Sequence, residues 1–279
     1  MKVTKIDAHQ HFWTVDRGDY GWLTTDLASL YRDFGPADLK PYLDECGVEK
    51  TVLVQAAPTV AETRFLLNLA SEHAHVGAVI GWVDMTAPDC RDTLNELNRH
   101  PRFRGVRPMI QDIAEDTWML RPDVGDALDG LRDAGLVFEA LVKPRHLGHL
   151  QTLLRRVPRL KVMVDHGAKP DIASGRFTEW AAKMAALARL ENVYCKLSGL
   201  VTEAGSHWRT EDLRPYARHL LDTFGTQRLV WGSDWPVVNL AGGYRAWWDA
   251  TNLLLDHLHG TERDAVLGGN AAAFYEIDQ

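Results

Sequence analysis

Reactive side-chain types gather at a few points in this sequence. His9 and His11 flank Gln10 in the stretch Asp7-Ala8-His9-Gln10-His11, directly after an apolar run. Side chains alternate along a strand, so both imidazoles fall on one face, about 7 Å apart, able to converge on one metal ion or one developing oxyanion. His166 stands in Val164-Asp165-His166-Gly167, where the glycine permits a tight, open turn. Asp234 stands in Gly232-Ser233-Asp234-Trp235-Pro236. A carboxylate placed there can serve as general base or metal ligand, and a helix N-cap is the competing reading. Arg107, in Gly105-Val106-Arg107-Pro108, offers a donor fork suited to a carbonyl oxygen or carboxylate, with a structural ion pair weighing equally. His166 alone would read as an ordinary rim histidine; beside the His9/His11 pair it reads as functional. Gln55, Trp82 and Glu139 are weaker candidates for substrate contact, and Lys143, Lys196 and Ser198 could also line the same mouth.

These residues need elements to bring them together. Runs rich in β-branched residues span Val3–His9, Thr51–Gln55, Gly77–Val83, Phe103–Arg107, Leu136–Val142, Leu160–His166, Asn192–Leu197 and Arg228–Asp234. Most are apolar on both faces, as parallel strands buried on two sides must be. Helical periodicity fills the gaps: Ala37–Cys46, Val60–His75, Pro88–Arg99, Asp126–Ala134, Arg145–Arg156, Phe177–Leu190, Glu211–Phe224 and Tyr244–His257, with Gly135, Gly225 and Gly260 at helix ends. Spacings near the ~30 residues of a βαβ unit predict an α/β fold, a single (β/α)8 TIM barrel occupying 1–279. No glycine-rich turn after the first strand supports a doubly wound sheet instead. In such a barrel reactive groups lie at the C-terminal strand ends, where His9, His11, Arg107, His166 and Asp234 fall. The surplus segment 12–36, rich in aromatics and charge, is expected to be an active-site loop.

Composition limits the function classes. The formal net charge of −7 over 279 residues argues against nucleic acid or an anionic membrane as partner. No apolar run is long enough to span a bilayer, and Met1–Thr4 lacks the apolar stretch of a signal peptide. Three scattered cysteines, Cys46, Cys90 and Cys195, suit a reducing, cytoplasmic setting. Of the 10 tryptophans, Trp13, Trp22, Trp82 and Trp235 are expected at the rim as substrate contacts and Trp208 near it, whereas Trp180, Trp247 and Trp248 are expected in packing. The remaining histidines considered, such as His73, His146 and His219, fall in helices or at helix ends and read as structural.

Together, His9-Gln10-His11, Arg107, Asp165-His166-Gly167-Ala168-Lys169-Pro170 and Gly232-Ser233-Asp234-Trp235-Pro236 resemble the amidohydrolase superfamily. Within it they resemble the branch that opens sugar and pyrone lactones. The resemblance runs from the first strand to Gly269-Asn270. It implies a distorted barrel, with histidines from strand one, a histidine from strand six and an aspartate from strand eight. Binuclear members add a histidine on strand five, where this chain has Phe138-Glu139-Ala140-Leu141. The metal expectation is therefore no required cofactor, or one zinc held among His9, His11, His166 and Asp234.

The expected reaction is hydrolysis of a neutral sugar lactone of the L-fucono- or L-galactono-1,5-lactone kind. Asp234 would take a proton from water, while Arg107, His166, His9 and His11 polarise the carbonyl. No Gly-x-Ser-x-Gly elbow signals a covalent nucleophile. A dicarboxylate substrate would call for several converging arginines, and only Arg107 is secure. Two alternatives stand beside this reading: a metal-dependent decarboxylase or hydrolase of a conjugated or pyrone acid on the same fold, and a non-catalytic sugar-binding barrel. Oligomeric state is left open.

Overall fold

A computed structural model describes residues 3–278. Eight parallel strands follow one another in the order β1-β2-β3-β4-β5-β6-β7-β8. They are β1 (Ile6–Gln10), β2 (Lys50–Val54), β3 (Val76–Gly81), β4 (Phe103–Val106), β5 (Val137–Ala140), β6 (Lys161–Val164), β7 (Val193–Leu197) and β8 (Leu229–Trp231). Each of the eight predicted runs overlaps one strand: β4 to β8 lie within their runs, whereas β1 ends one residue later and β2 and β3 begin one residue earlier than expected. The seam between β8 and β1 is bridged just beyond the strand end: Asp234 N donates to His9 O at 2.8 Å and His11 N to Trp235 O at 2.7 Å. The sheet thus forms a nearly closed barrel with helices on its outside.

Alternation along the strands sorts the core. Val52, Val54, Ala78, Ile80, Val137, Met163 and Val230 face inward as one buried cluster. Leu53, Val79, Phe138, Val162 and Leu229 face outward into a second cluster shared with helix residues such as Leu66, Leu128 and Leu150. In β1 the register slips between Asp7 and Gln10, so that Ile6 and Ala8 belong to the inner cluster and His9 still turns inward. Bulges of this kind re-aim side chains next to sites.

The helices obey local signals. Thr59 caps the helix Val60–Glu72 by accepting from Glu62 N, and Gly47 ends the helix Pro36–Cys46 at φ 66°. The fourth helix starts at Pro122 rather than Asp126, because proline is favoured in the first helical turn. The short helix Leu200–Glu203 and the C-terminal segment have no counterpart in the sequence expectations. After Gly260 the chain turns through Thr261–Asp264 and Ala265–Gly269 into the helix Asn270–Tyr275. Its Phe274, Tyr275 and the following Ile277 plug the inner cluster. Arg104, at the start of β4, donates to Tyr275 O at 2.7 Å. This segment closes the barrel floor, opposite the mouth.

Segment 12–36 is folded rather than extended. Trp13 and Phe34 exchange backbone hydrogen bonds at 3.0 Å, pinching its base. Trp13 packs edge-on against Trp22 and Phe34 at centroid distances of 5.4 Å. Asp19 accepts from Thr59 Oγ1 at 2.9 Å, tying the loop to the helix that follows β2.

Candidate active site

The barrel mouth holds a cavity of about 180 Å³ whose lining includes His11, Arg107, His166, Lys169, Asp234 and Trp22. The structure therefore gathers His9, His11, Arg107, His166 and Asp234 around one point, with Asp234 Oδ1 at its focus. The Nε2 atoms of His11, His9 and His166 lie 3.4, 3.7 and 3.9 Å from it. His9 is fully buried and lies beneath the lining rather than in it.

Asp234 and His166 do not sit on strands. Their strands stop at Trp231 and Val164, and both residues occupy the left-handed region, at φ 59° and 52°. Such conformations cost on the order of 1–3 kcal/mol each outside glycine and concentrate at functional sites. The Asp234 turn is held by its own bond to His9 O and by Val238 N donating to Asp234 O at 2.9 Å. The His166 turn is held by Trp180 Nε1 donating to Gly167 O at 2.7 Å. Two glycines make room. A Cβ on Gly199, itself at φ 61°, would lie 2.6 Å from His166 Nδ1, and one on Gly232 would lie 2.7 Å from His9 Cβ.

Hydrogen bonding sets the ring protons. His11 Nδ1 lies 2.7 Å from Val54 O, an acceptor only, so Nδ1 carries the proton and Nε2 faces Asp234 as a lone pair. His166 Nδ1 pairs with Ser198 Oγ at 2.8 Å. A hydroxyl donates or accepts, so His166 can present either a donor or a lone pair at Nε2. Arg107 is locked by Gln55: its guanidinium donates to Gln55 O, while Gln55 Nε2 donates to Arg107 O.

Burial lowers the pKa of His11, against the pull of Asp234. It takes His166 to about 4, against Asp234 and Asp165. Burial, with Lys196 and His166 nearby, also holds His9 well below the usual histidine range. Asp234 moves the other way: burial alone would raise it, but His166, His11 and His9 hold it below the ordinary carboxylate range. At neutral pH the imidazoles are neutral and Asp234 is anionic.

The other expected contacts divide. Trp22 lines the cavity, anchored by Nε1 donating to Ala56 O at 2.7 Å. Trp13 and Trp235 are each 1% exposed and pack with Phe34, so they support the loop instead of facing a ligand. Trp82 also lies outside the lining, its backbone N and O both bonded to Thr63 Oγ1. Gln55 is fully buried and holds Arg107. Glu139 is equally buried, taking Lys196 Nζ at 2.7 Å and Tyr275 OH at 2.6 Å. Burial pushes its pKa up to about 7, against Lys196. A sealed barrel-interior position keeps Glu139 from substrate. Lys169 and Asp112 line the cavity without having been singled out; Lys169 lies in the His166 motif, at φ 49°. Asp165, in the same motif, has its Oδ2 3.7 Å from Arg107 Nη1.

Ligand atoms of His9, His11 and Asp234 lie within 4.8 Å of one another, as do those of His9, Asp165 and His166. The donor chemistry is selective. His11 and Asp234 offer a lone pair and a carboxylate, and both groups call on His9 for a third ligand. His9 suits that part poorly, because its other nitrogen faces the ammonium of Lys196 at 3.0 Å, whereas a ligating histidine needs an acceptor there.

The amidohydrolase family model matches residues 6–277. The chain belongs to the amidohydrolase family. An L-fucono-1,5-lactonase of Burkholderia ambifaria is 48% identical over 99% of this chain and 96% of its own length. An L-fucono-1,5-lactonase of Burkholderia multivorans is 36% identical, covering 100% of this chain and 98% of the relative. A solved amidohydrolase from Burkholderia multivorans with bound zinc superposes with a TM-score of 0.93 at 36% identity, covering 99% of this chain and 100% of that one.

Proposed function

We propose that this amidohydrolase is a lactonase that opens a neutral sugar lactone of the L-fucono-1,5-lactone kind to the sugar acid. One observation carries the chemistry: an anionic carboxylate, Asp234, lies at the focus of three imidazole nitrogens beneath a small cavity. The identity of 48% with a lactonase over nearly the whole chain supports the substrate class.

In this reading, a water at the cavity floor gives one hydrogen to Asp234 and directs the other to the lone pair of His11. Its oxygen attacks the lactone carbonyl. Arg107 and an Nε2–H of His166 donate to the carbonyl oxygen as charge develops, each contributing typically ~10²–10³ in rate. Asp234 then passes the proton to the ring oxygen as the C–O bond breaks. Zinc, where bound, would draw on His11 and Asp234 and would supply a Lewis acid to the same carbonyl. His9 supports Asp234 from beneath.

The lining balances Arg107 and Lys169 against Asp234 and Asp112, which suits a neutral polyol better than a dicarboxylate. Trp22 offers an apolar face with a committed polar tip, as sugar rings require. The test is a panel of aldonolactones and a pyrone dicarboxylate followed by proton release. Hydrolysis of an L-fucono-type 1,5-lactone is expected. Turnover of the pyrone dicarboxylate alone would replace this reading.

A further inference from the structure

Inside the barrel, below the cavity, lies a sealed ion group. Lys196 of β7 places its ammonium 2.7 Å from Glu139 Oε2, 3.0 Å from His9 Nδ1 and 3.2 Å from Asp165 Oδ1. All four residues are fully buried. An ammonium has three N–H donors and no lone pair, so its three protons match these three acceptors.

His9 completes the arithmetic. A neutral imidazole accepts at one nitrogen and donates at the other. Its Nε2 lies 3.2 Å from Arg107 Nη1 and 3.7 Å from Asp234 Oδ1. If Nε2 accepted from Arg107, a proton on Nδ1 would face a Lys196 proton and leave the sealed ammonium one acceptor short. If Nδ1 accepts from Lys196, only Nη1 of Arg107 must give up its partner. Nη2 keeps its bond to Gln55 O, while Arg107 lines the cavity and Asp165 Oδ2 stands 3.7 Å from Nη1. An unsatisfied donor costs more where water cannot reach it, so burial decides between the two arrangements.

We propose that Lys196 is a positioning residue: it holds His9 as the Nε2–H tautomer, so that His9 turns an N–H toward Asp234 from beneath, at 3.7 Å. Glu139, braced by Tyr275 of the barrel floor, holds Lys196 in turn. The proposal deepens, and rests on, the reading of Asp234 as the base.

The test reads the tautomer directly. Long-range ¹H–¹⁵N correlation spectra of the chelator-treated wild-type protein at pH 7.5, with His9 assigned by its loss in His9→Gln, are expected to show protonated Nε2 and unprotonated Nδ1. A proton on Nδ1 overturns the proposal, whatever the activity. In Lys196→Met, His9 is expected to move its proton to Nδ1, facing Asp165 Oδ1 at 3.6 Å. kcat should fall by about 10- to 100-fold, as when the partner that orients a site histidine is removed, with KM little changed. An unchanged tautomer in that variant also overturns it. If Lys196→Met does not fold, the wild-type spectrum still decides. Failure of the Asp234 reading would appear elsewhere, as near-wild-type lactone hydrolysis by Asp234→Asn.

Discussion

At the scale of the residue, the site is a problem in proton placement. Three imidazoles surround one carboxylate, and each has a different second partner: a carbonyl for His11, a hydroxyl for His166 and an ammonium for His9. The same side chain therefore takes three different parts in one cavity. Arg107 is the donor whose charge does not depend on such placement, so its removal is informative. Arg107→Met is expected to lower kcat by about 10²–10³, the usual loss of one oxyanion donor. Arg107→Lys should recover little of it, because a point charge cannot keep both the Gln55 bond and the fork toward the carbonyl. Steady-state kinetics on an aldonolactone check both. Some of this was legible beforehand: the two-residue spacing of His9 and His11 pairs them, and their ring centroids lie 4.9 Å apart, although a register slip in β1 and not plain alternation turns His9 inward. The burial of Trp13 and Trp235 was not legible, because a rim tryptophan looks the same in sequence whether it faces a ligand or its own loop. Nor was the Glu139–Lys196 pair, since two charged residues on strands read as mouth residues until the cross-barrel contact is seen.

At the scale of the element, the strands were readable because β-branched runs set against helical periodicity identify a buried parallel sheet. Their ends were not. Periodicity carries His166 and Asp234 on into β6 and β8, whereas both sit past the strand in left-handed turns, a backbone state that side-chain pattern does not encode. Those turns depend on small neighbours. Gly199→Ala places a methyl 2.6 Å from His166 Nδ1 at φ 61°. A destabilisation of about 1–3 kcal/mol is expected from overpacking and strain, together with a fall in kcat as His166 is displaced. Urea unfolding and kinetics on the same preparation measure both effects. The C-terminal helix escaped sequence reading because Leu267-Gly268-Gly269 looks like a loop. Gly268 is in fact required, since a Cβ there would lie 1.9 Å from Thr4 O.

At the scale of the whole molecule, the barrel keeps several ionisable groups away from water. Glu62 is the clearest outside the catalytic cluster. Its carboxylate accepts from Ala56 N and Ala57 N, yet burial pushes its pKa up from 4.5 to about 8. A carboxyl raised in the folded state binds more protons than the unfolded chain does between those values. Its contribution is fully present below about 4.5 and is lost as pH rises through about 8. The urea midpoint is therefore expected to fall between pH 7 and pH 9, and to fall less in Glu62→Gln. Such sealed charges are tolerable because the surrounding core is large, and the same enclosure makes the mouth a place where one carboxylate can act as a base. The most direct measurement of that claim is kcat for Asp234→Asn on L-fucono-1,5-lactone, followed by proton release with folding verified by circular dichroism. A loss of about 10²–10⁴ is expected, with the variant still folded. Turnover within a few-fold of wild type would contradict it.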